Sequence, residues 1–117
     1  MPCTIVLKGA PISTQHIYGA RRYGQRHLTS EARSLKEDYA WQAKAQWRKE
    51  PVLLHLAADV KLYFKDHRRR DWDNWHKLSF DALEKIVYKD DSQIMKASVE
   101  KFIDKKKPRI EITLSQL

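Results

Sequence analysis

Five aspartates and one lysine within residues 71–91 have the types and the spacing to hold a metal ion against a phosphate backbone. The set is Asp71, Asp73, Lys77, Asp81, Asp90 and Asp91. Asp71 and Asp73 are two positions apart, so in an extended segment both carboxylates project to one side. Mg²⁺ prefers carboxylate and water oxygens, and in phosphodiester hydrolysis it activates the attacking water and stabilises the leaving oxygen. The pattern therefore predicts a metal site suited to phosphodiester hydrolysis.

Lys77 lies four residues after Asp73 and therefore on the same face of a helix that begins there. A lysine in this position would neutralise charge that develops on the scissile phosphate, or it would form an exposed ion pair worth less than ~1 kcal/mol. Asp73 and Asn74 are also preferred N-cap types, and Asp90-Asp91 also fits an ordinary turn. A structural role explains each residue singly, whereas the whole set favours a metal site.

Spacing excludes a calcium loop of the EF-hand type. Such a loop, opened by Asp71, needs glycine at its sixth position and glutamate at its twelfth, where this chain has His76 and Ala82. His67, Asn74 and His76 are likewise too crowded for the metal unit of an His-Asn-His nuclease, which spans two strands and a helix. Mg²⁺ held by carboxylates remains the leading interpretation.

The charge balance of the chain favours an anionic partner. The 23 lysines and arginines outnumber the 15 aspartates and glutamates, so the formal net charge is +8 and the pI is about 9.7. A pI above ~9 is typical of nucleic-acid-binding domains, although a solvated basic surface or a contact with an anionic membrane gives the same signature. Three basic groups are expected to contact DNA: Arg21, Arg22 and Arg26; Arg68, Arg69 and Arg70; and Lys105, Lys106 and Lys107 with Arg109.

Length and cysteine content indicate one domain in a reducing compartment. The 117 residues suffice for one core, so residues 1–117 are expected to form a single domain. Cys3 is the single cysteine, which excludes an intramolecular disulfide and a cysteine-based zinc site. No apolar run approaches the ~18 residues of a membrane span. We therefore expect a cytoplasmic protein that does not enter a membrane.

Hydrophobic periodicity predicts the elements that position the acidic set. The β-branched run Thr4–Lys8 predicts a first strand, and residues 12–28 predict a basic loop. Ser30 is expected to cap a helix that ends near residue 50, because apolar residues recur there at three- and four-residue spacing. From Val52 to Phe64 apolar residues alternate with others, which predicts a long strand with one face on the core.

The second half of the chain predicts one more helix and two more strands. The helix is expected to begin at Asp73 or Asn74 and to run to about Val87. Two strands follow, joined by residues 104–108. The residues expected to face inward are Leu78, Ala82 and Ile86 in the helix and Met95, Ala97, Val99 and Ile103 in the next strand. The predicted fold is α+β, a mixed β-sheet backed by two main helices in the order β-α-β-α-β-β.

The predicted second helix separates the two halves of the acidic set. A helix from about Asn74 to Val87 is roughly 20 Å long at 1.5 Å per residue, so it carries the chain away from Asp73 before Asp91 is reached. Either the helix is shorter and the following residues double back, or Asp91 completes the site of a second subunit. Five extended residues cover ~16 Å, which favours a return within one chain.

A longer motif resembles the signature of the RusA family of Holliday junction resolvases. It comprises Arg69-Arg70-Asp71-Trp72-Asp73-Asn74, then Lys77, Phe80-Asp81-Ala82-Leu83 and Asp90-Asp91-Ser92-Gln93. The first strand, the basic loop and the first helix are also similar in order and length, so the resemblance covers nearly the whole chain. There are two departures from the family pattern. The early Pro-x-x-Asn segment of the family ends in Thr14 here, and the stretch between Asp81 and Asp90 is about one residue shorter.

The resemblance implies a RusA-like fold and a small homodimeric endonuclease that depends on Mg²⁺, for which Mn²⁺ can substitute. It implies that the protein, of phage or bacterial origin, cuts four-way DNA junctions by paired symmetric nicks in recombination and repair. On this resemblance Asp71, Asp73 and Asp91 match the catalytic metal-binding aspartates. Asp90 matches the neighbouring acidic residue, which we include in the metal set, and Lys77 matches the essential lysine. Two alternatives stay open: a non-catalytic nucleic-acid-binding module, whose carboxylates only cap and pair, and a metal-dependent ribonuclease.

Overall fold

Within the part of the chain that the structure describes, four strands and two helices follow one another in the predicted order, β-α-β-α-β-β. The computed structural model describes residues 2–13, 28–72 and 74–117. The strands are β1 (Cys3–Lys8), β2 (Leu56–Phe64), β3 (Ile94–Ile103) and β4 (Arg109–Gln116), and the helices are α1 (Ser30–Gln46) and α2 (Lys77–Leu83). A short 3₁₀ turn, Asp91–Gln93, precedes β3. The α+β prediction is therefore confirmed, while most of the predicted basic loop lies outside the described residues.

The strands form one mixed sheet in the order β1-β4-β2-β3. β4 lies antiparallel between β1 and β2, so that Ile112 is opposite Ile5 on one side and Val60 on the other. β3 runs parallel to β2, with Val99 opposite Val60. Parallel neighbours need a crossover connection, and the chain through α2 and the 3₁₀ turn provides it. The 3₁₀ turn therefore lies at the start of an edge strand, beside the start of β2.

A hydrophobic core lies between one face of the sheet and the two helices. Alternate residues of β2 from Leu56 to Phe64 are buried, as the two-residue period predicts. The helices contribute Ala32, Tyr39 and Ala43 from α1 and Leu78, Phe80, Ala82 and Leu83 from α2. Because burial of each large apolar side chain contributes roughly 1.5–3 kcal/mol, this core fixes α2 against the sheet. Neither helix of the described residues has the length and apolarity needed to cross a membrane.

The ends of α1 differ from those that the sequence predicts. Thr29 is the N-cap, rather than the serine that follows it, and its hydroxyl accepts the Ala32 N–H at 3.1 Å. The helix ends at Gln46 rather than near residue 50. The next residue, Trp47, is already extended, and its indole N–H donates to the carbonyl of Glu50 at 3.2 Å. Because these differences lie at its ends, α1 still buries Ala32, Tyr39 and Ala43 in the core.

β2 and β3 also depart from their predicted patterns. β2 begins at Leu56 rather than at Val52, because Val52 instead makes an isolated bridge to Tyr88. In β3 the prediction of burial holds for Val99, which packs against the core. It is wrong for three other residues, which are exposed because β3 is an edge strand: Met95, Ala97 and Ile103.

α2 is much shorter than predicted, with seven residues that begin at Lys77. It ends because Lys85 adopts a left-handed backbone conformation, with φ of 66°, which cannot continue a right-handed helix. The N–H of Lys85 donates instead to the carbonyl of Tyr88 at 2.6 Å. Ile86, predicted to lie in the helix, follows this turn and packs partly against the core. The early end of α2 allows the chain to double back.

Candidate active site

The chain reverses directly after α2 and so brings Asp91 back to the helix. Tyr88 is fully buried, and its hydroxyl donates a hydrogen bond to the carbonyl of Phe80 at 2.6 Å. This carbonyl is one of the last four of the helix, which have no partner within the helix. Burial raises the pKa of the Tyr88 hydroxyl, so the group remains a donor near neutral pH. This hydrogen bond therefore holds the residues that follow α2 against the helix.

Asp90 and Asp91 are neighbours with different environments. Asp90 is the N-cap of the 3₁₀ turn, and its carboxylate accepts the Ser92 N–H at 3.0 Å. This hydrogen bond is the main cause that holds the pKa of the Asp90 carboxyl below its usual value. The main-chain N–H of Asp91 donates to the carboxylate of Glu84 at 3.2 Å. Asp90 therefore stabilises its own turn, while the carboxylate of Asp91 lies near α2.

Asp81, Glu84 and Asp91 bring three carboxylates together beside α2. One oxygen of each lies within 4.8 Å of the other two. Lys77 lies one turn before Asp81, and its ammonium nitrogen is 3.4 Å from an oxygen of that carboxylate. Carboxylates at this separation repel one another unless a proton or a cation lies between them. The donor set is therefore chemically suited to a hard divalent cation such as Mg²⁺.

An open cleft of about 450 Å³ adjoins these acids. Three residues of the acidic set predicted from the sequence line it, Lys77, Asp81 and Asp91, and Asn74 lines it as well. Asn74 also lines a second depression, which contains Asp71 and Arg69. The segment that contains Asp71 and the turn that contains Asp91 thus face adjoining depressions on one side of the molecule.

The four predicted metal ligands have four different positions. Asp91 belongs to the acidic group beside α2, and Asp90 caps the turn. Asp71 is exposed and is not part of that group, while Asp73 lies outside the described residues. Glu84 belongs to the group although it is not among the predicted ligands. Its position three residues after an aspartate of the same helix face is the signal that could have identified it.

Arg70 is held by contacts inside the protein. Its side chain is only 12% exposed, and its guanidinium lies 4.3 Å from the ring centre of Phe64 and 5.7 Å from that of Trp75. It donates to the carboxylate of Asp66 at 2.7 Å. This hydrogen bond is the main cause that lowers the pKa of the Asp66 carboxyl. Arg70, which was predicted to contact DNA, therefore also has a structural role.

Most other described members of the three basic groups are exposed. They are Arg68, Arg69, Lys105, Lys106 and Lys107. Arg109 differs, because its guanidinium donates to Asp104 at 2.8 Å and to Glu111 at 2.7 Å. It also stacks on Tyr63, 3.7 Å from the ring centre. The remaining group lies outside the described residues: Arg21, Arg22 and Arg26. Exposed cations therefore precede Asp71 and occupy the connection between β3 and β4.

Comparison with known proteins identifies the family of this chain. The sequence model of the family described as Endodeoxyribonuclease RusA matches residues 8–115. A crossover junction endodeoxyribonuclease RusA of Enterobacteria phage 82 is 30% identical over 108 residues, which cover 92% of this chain and 89% of that protein. The protein of the same name from Escherichia coli K12 is 29% identical with the same coverage. The uncharacterised protein YqaN of Bacillus subtilis is 26% identical, with 93% of this chain and 92% of that protein covered. The chain belongs to the RusA family of endodeoxyribonucleases.

Proposed function

We propose that this protein is a Mg²⁺-dependent endonuclease that resolves Holliday junctions by paired symmetric nicks in recombination and repair. Its relatives in phage 82 and Escherichia coli are named crossover junction endodeoxyribonucleases. The observation that carries the proposal is the position of Asp91. Its carboxylate lies beside those of Asp81 and Glu84, and Asp91 lines one cleft together with Asp81 and Lys77. We expect the protein to act in the cytoplasm of a bacterial cell.

The proposed ligands of Mg²⁺ are Asp71, Asp73 and Asp91, with Asp90 adding negative charge from the same turn. When bound, Mg²⁺ supplies an activated water and stabilises the leaving oxygen, and Mn²⁺ is expected to substitute for it. Asp81 and Glu84 strengthen the negative potential at this place, because their oxygens lie within 4.8 Å of an oxygen of Asp91. The crowding of carboxylates beside an open cleft supports the assignment of Asp91.

Lys77 is proposed to stabilise the negative charge that develops on the scissile phosphate. It belongs to the first turn of α2 and lines the same cleft as Asp91. Its contact with Asp81 is a partly exposed ion pair at 3.4 Å, and such pairs contribute at most ~1 kcal/mol. This ion pair alone would therefore not prevent a phosphate in the cleft from contacting the ammonium group.

The basic groups are proposed to supply affinity for branched DNA, whereas the carboxylates serve the chemistry. The exposed members described by the structure are Arg68, Arg69, Lys105, Lys106 and Lys107. Arg21, Arg22 and Arg26 are proposed to add to them. If about 6–10 phosphates are contacted, affinity falls by about 10³-fold or more between 50 and 200 mM salt. Affinity that does not respond to salt would contradict this part of the proposal.

We further propose a homodimer, because two matched nicks in a nearly two-fold symmetric junction need two matched sites. The two edges of the sheet support this. At the β1 edge, Gln46 of α1 accepts the Val6 N–H at 2.8 Å and donates to the Val6 carbonyl at 2.7 Å, so the main chain is already paired. At the β3 edge, the described residues include no further strand, and Met95 and Ile103 are 59% and 43% exposed. The β3 edge is therefore the better surface for a second copy, and sedimentation of an Ile103→Lys variant tests it.

The experiment that tests the activity is cleavage of a synthetic four-way junction with Mg²⁺, with linear duplex and flap DNA as controls. We expect paired nicks at the crossover, loss of nicking in Asp71→Asn, and junction binding that is retained or increased because a negative charge is removed. Binding without cleavage by the wild-type protein would favour the non-catalytic module. Equal cleavage of structured RNA would favour the ribonuclease.

The return of Asp91 to α2 predicts that each subunit forms its own site. Subunits that carry Asp71→Asn are mixed with subunits that carry Asp91→Asn, and junction cleavage by the heterodimers is measured. If Asp71 and Asp91 act within one chain, every site contains one substitution and no activity returns. Recovery of one active site in each heterodimer would show that Asp91 acts across the dimer.

A further inference from the structure

The side chain of Gln93 uses all of its hydrogen-bonding capacity within the protein. Its Oε1 accepts the main-chain N–H groups of Lys89 and Asp90, both at 2.9 Å. Its Nε2 donates to the carbonyls of Val52 at 2.8 Å and Leu54 at 2.9 Å. A primary amide has two acceptor lone pairs and two donor hydrogens, so these four bonds occupy it fully. Gln93 is therefore part of the framework of the site and not a contact for a ligand.

These four hydrogen bonds join two segments that are distant in sequence. Val52 and Leu54 lie in the connection between α1 and β2, about 40 residues before Gln93, as the separations of 41 and 39 residues show. The N–H of Val52 also donates to the carbonyl of Val87 at 2.8 Å, so this connection is fixed to the returning chain as well. Gln93 thus ties the 3₁₀ turn to the chain that enters β2.

Every main-chain N–H from Lys89 to Gln93 has an acceptor. Beyond the two held by the Gln93 side chain, the Asp91 N–H donates to Glu84 at 3.2 Å and the Ser92 N–H to the Asp90 carboxylate at 3.0 Å. The N–H of Gln93 itself donates to the carbonyl of Asp90 at 3.0 Å. Because the peptide units on both sides of Asp91 are fixed, the starting point and direction of its side chain are fixed too. A metal ligand needs this kind of support to be held in a productive geometry.

We infer that Gln93 is a positioning residue for the metal site: its amide holds the Asp90-Asp91 turn so that the Asp91 carboxylate stays beside α2. The inference rests on the proposed function, in which Asp91 is a metal ligand. A glutamate at this position would still accept the Asp90 N–H and complete the capping box. The two Nε2 donors, which only the amide has, are therefore the part of Gln93 that fixes the turn to the rest of the protein.

Gln93→Glu isolates these two donors. The substitution keeps the length of the side chain and both acceptor contacts, but it places a carboxylate oxygen against the carbonyls of Val52 and Leu54. The measurement is the single-turnover cleavage rate of a four-way junction as a function of Mg²⁺ concentration. We expect the Mg²⁺ concentration for half-maximal cleavage to rise by about 10–100-fold, the usual effect of removing a group that orients a metal ligand. Junction binding in EDTA is expected to fall only as far as the added negative charge weakens it, because no phosphate contact is removed.

A charge-matched control separates position from electrostatics. Gln93→Glu adds one negative charge near the site, which by itself attracts Mg²⁺ and lowers the concentration required. Lys89→Gln changes the net charge by the same amount and keeps the Lys89 N–H that Gln93 accepts. The control is expected to leave the Mg²⁺ requirement unchanged or lower. The same behaviour in Gln93→Glu would overturn the inference.

Two further outcomes keep the inference separate from the proposed function and from misfolding. If the wild-type protein does not cleave junctions, the proposed function fails; if it cleaves and Gln93→Glu keeps its Mg²⁺ dependence, the inference alone fails. Hydrogen exchange of the wild-type protein needs no variant. We expect slow exchange of the Lys89 and Asp90 amide protons. Rapid exchange at both would show that Gln93 does not hold these two N–H groups, and this result would overturn the inference even if Gln93→Glu does not fold.

Discussion

The two segments that carry the proposed metal ligands are held by different kinds of interaction. The turn that contains Asp91 is held by main-chain hydrogen bonds, and the neutral amide of Gln93 makes four contacts there. The segment before Asp71 is held mainly through Arg70, whose guanidinium contacts two aromatic rings and the carboxylate of Asp66. The turn therefore depends largely on the neutral Gln93 amide, together with the Asp90 and Glu84 carboxylates that accept two of its N–H groups, whereas the segment before Asp71 depends on charged side chains.

β3 links these two halves. The 3₁₀ turn with Asp91 leads directly into its first residue. Further along the same strand, the Lys101 ammonium donates to the carbonyl of Arg70 at 2.6 Å. The parallel pairing of β3 with β2 fixes the distance between these two points. A substitution in one half leaves this strand pairing intact and should therefore leave the other half in place. The two halves can then be tested separately.

The largest expected effect comes from separating the two neighbouring aspartates of the turn. Asp91→Asn removes a proposed metal ligand, so single-turnover cleavage is expected to fall by about 10³-fold or more. Asp90→Asn keeps an N-cap, because asparagine caps as well as aspartate, and is expected to cost about tenfold at most. Cleavage at saturating Mg²⁺ measures both, with the Tm of each variant as a control. Equal losses in the two variants would show that Asp90 is also a ligand and that capping the turn is not its main role.

Sequence patterns predict the two halves of the site unequally well. The alternation in β2 and the Asp-x-Asp motif that follows are local features, so the strand and the place of Asp71 after it were predictable. The reach of the chain favoured a return of Asp91 within one chain, but its route was not predictable, because it depends on the left-handed Lys85 and the buried Tyr88, which hydrophobic periodicity does not encode. The contacts of Gln93 span about 40 residues, and no local motif describes them.

The errors in the fold prediction have the same origin. The alternation in β3 is present, but it does not show that β3 is an edge strand, so Met95 and Ile103 were expected to be buried. Strand order is a property of the whole sheet. The sequence shows the type of each element from its own residues, whereas the ends of elements and the exposure of their faces depend on neighbours.

The charged half of the site can be weakened without touching a proposed ligand. Arg70→Leu removes two cation–π contacts, which contribute roughly 0.5–2 kcal/mol, so the free energy of unfolding is expected to fall by about 1–2 kcal/mol. Arg68→Leu is the matched control, because that side chain is 80% exposed. Its effect is expected to stay within about 0.5 kcal/mol. Urea unfolding measures both, and equal effects of the two substitutions would contradict the structural role of Arg70.

Acid is expected to loosen the charged half of the site by protonating Asp66. The pKa of Asp66 is lower in the folded protein than in the unfolded chain, mainly because Arg70 donates to its carboxylate. Its stabilising contribution is therefore complete above the ordinary aspartate pKa of 3.8 and is lost as the pH falls through the lower folded value. The indole N–H shift of Trp75, which packs against Arg70, reports this titration by NMR. A midpoint at or above 3.8 would show that the Arg70 contact does not stabilise the carboxylate.

The smallest expected effect concerns the residue that ends α2. Lys85 has a positive φ, which costs a side chain with a Cβ about 1–2 kcal/mol, whereas glycine adopts this conformation freely but loses about 0.5–1 kcal/mol of extra entropy on folding. Lys85→Gly is therefore expected to raise the free energy of unfolding by up to about 1 kcal/mol, and Lys85→Ala, which keeps the Cβ, is not. Urea unfolding compares the three proteins, and a Lys85→Gly protein less stable than the wild type would show that the backbone of Lys85 is not strained. The Mg²⁺ requirement should not change in either variant, because the Lys85 N–H still donates to Tyr88 and the Gln93 contacts are untouched. A changed requirement would mean that the end of α2, and not the Gln93 amide, fixes the position of Asp91.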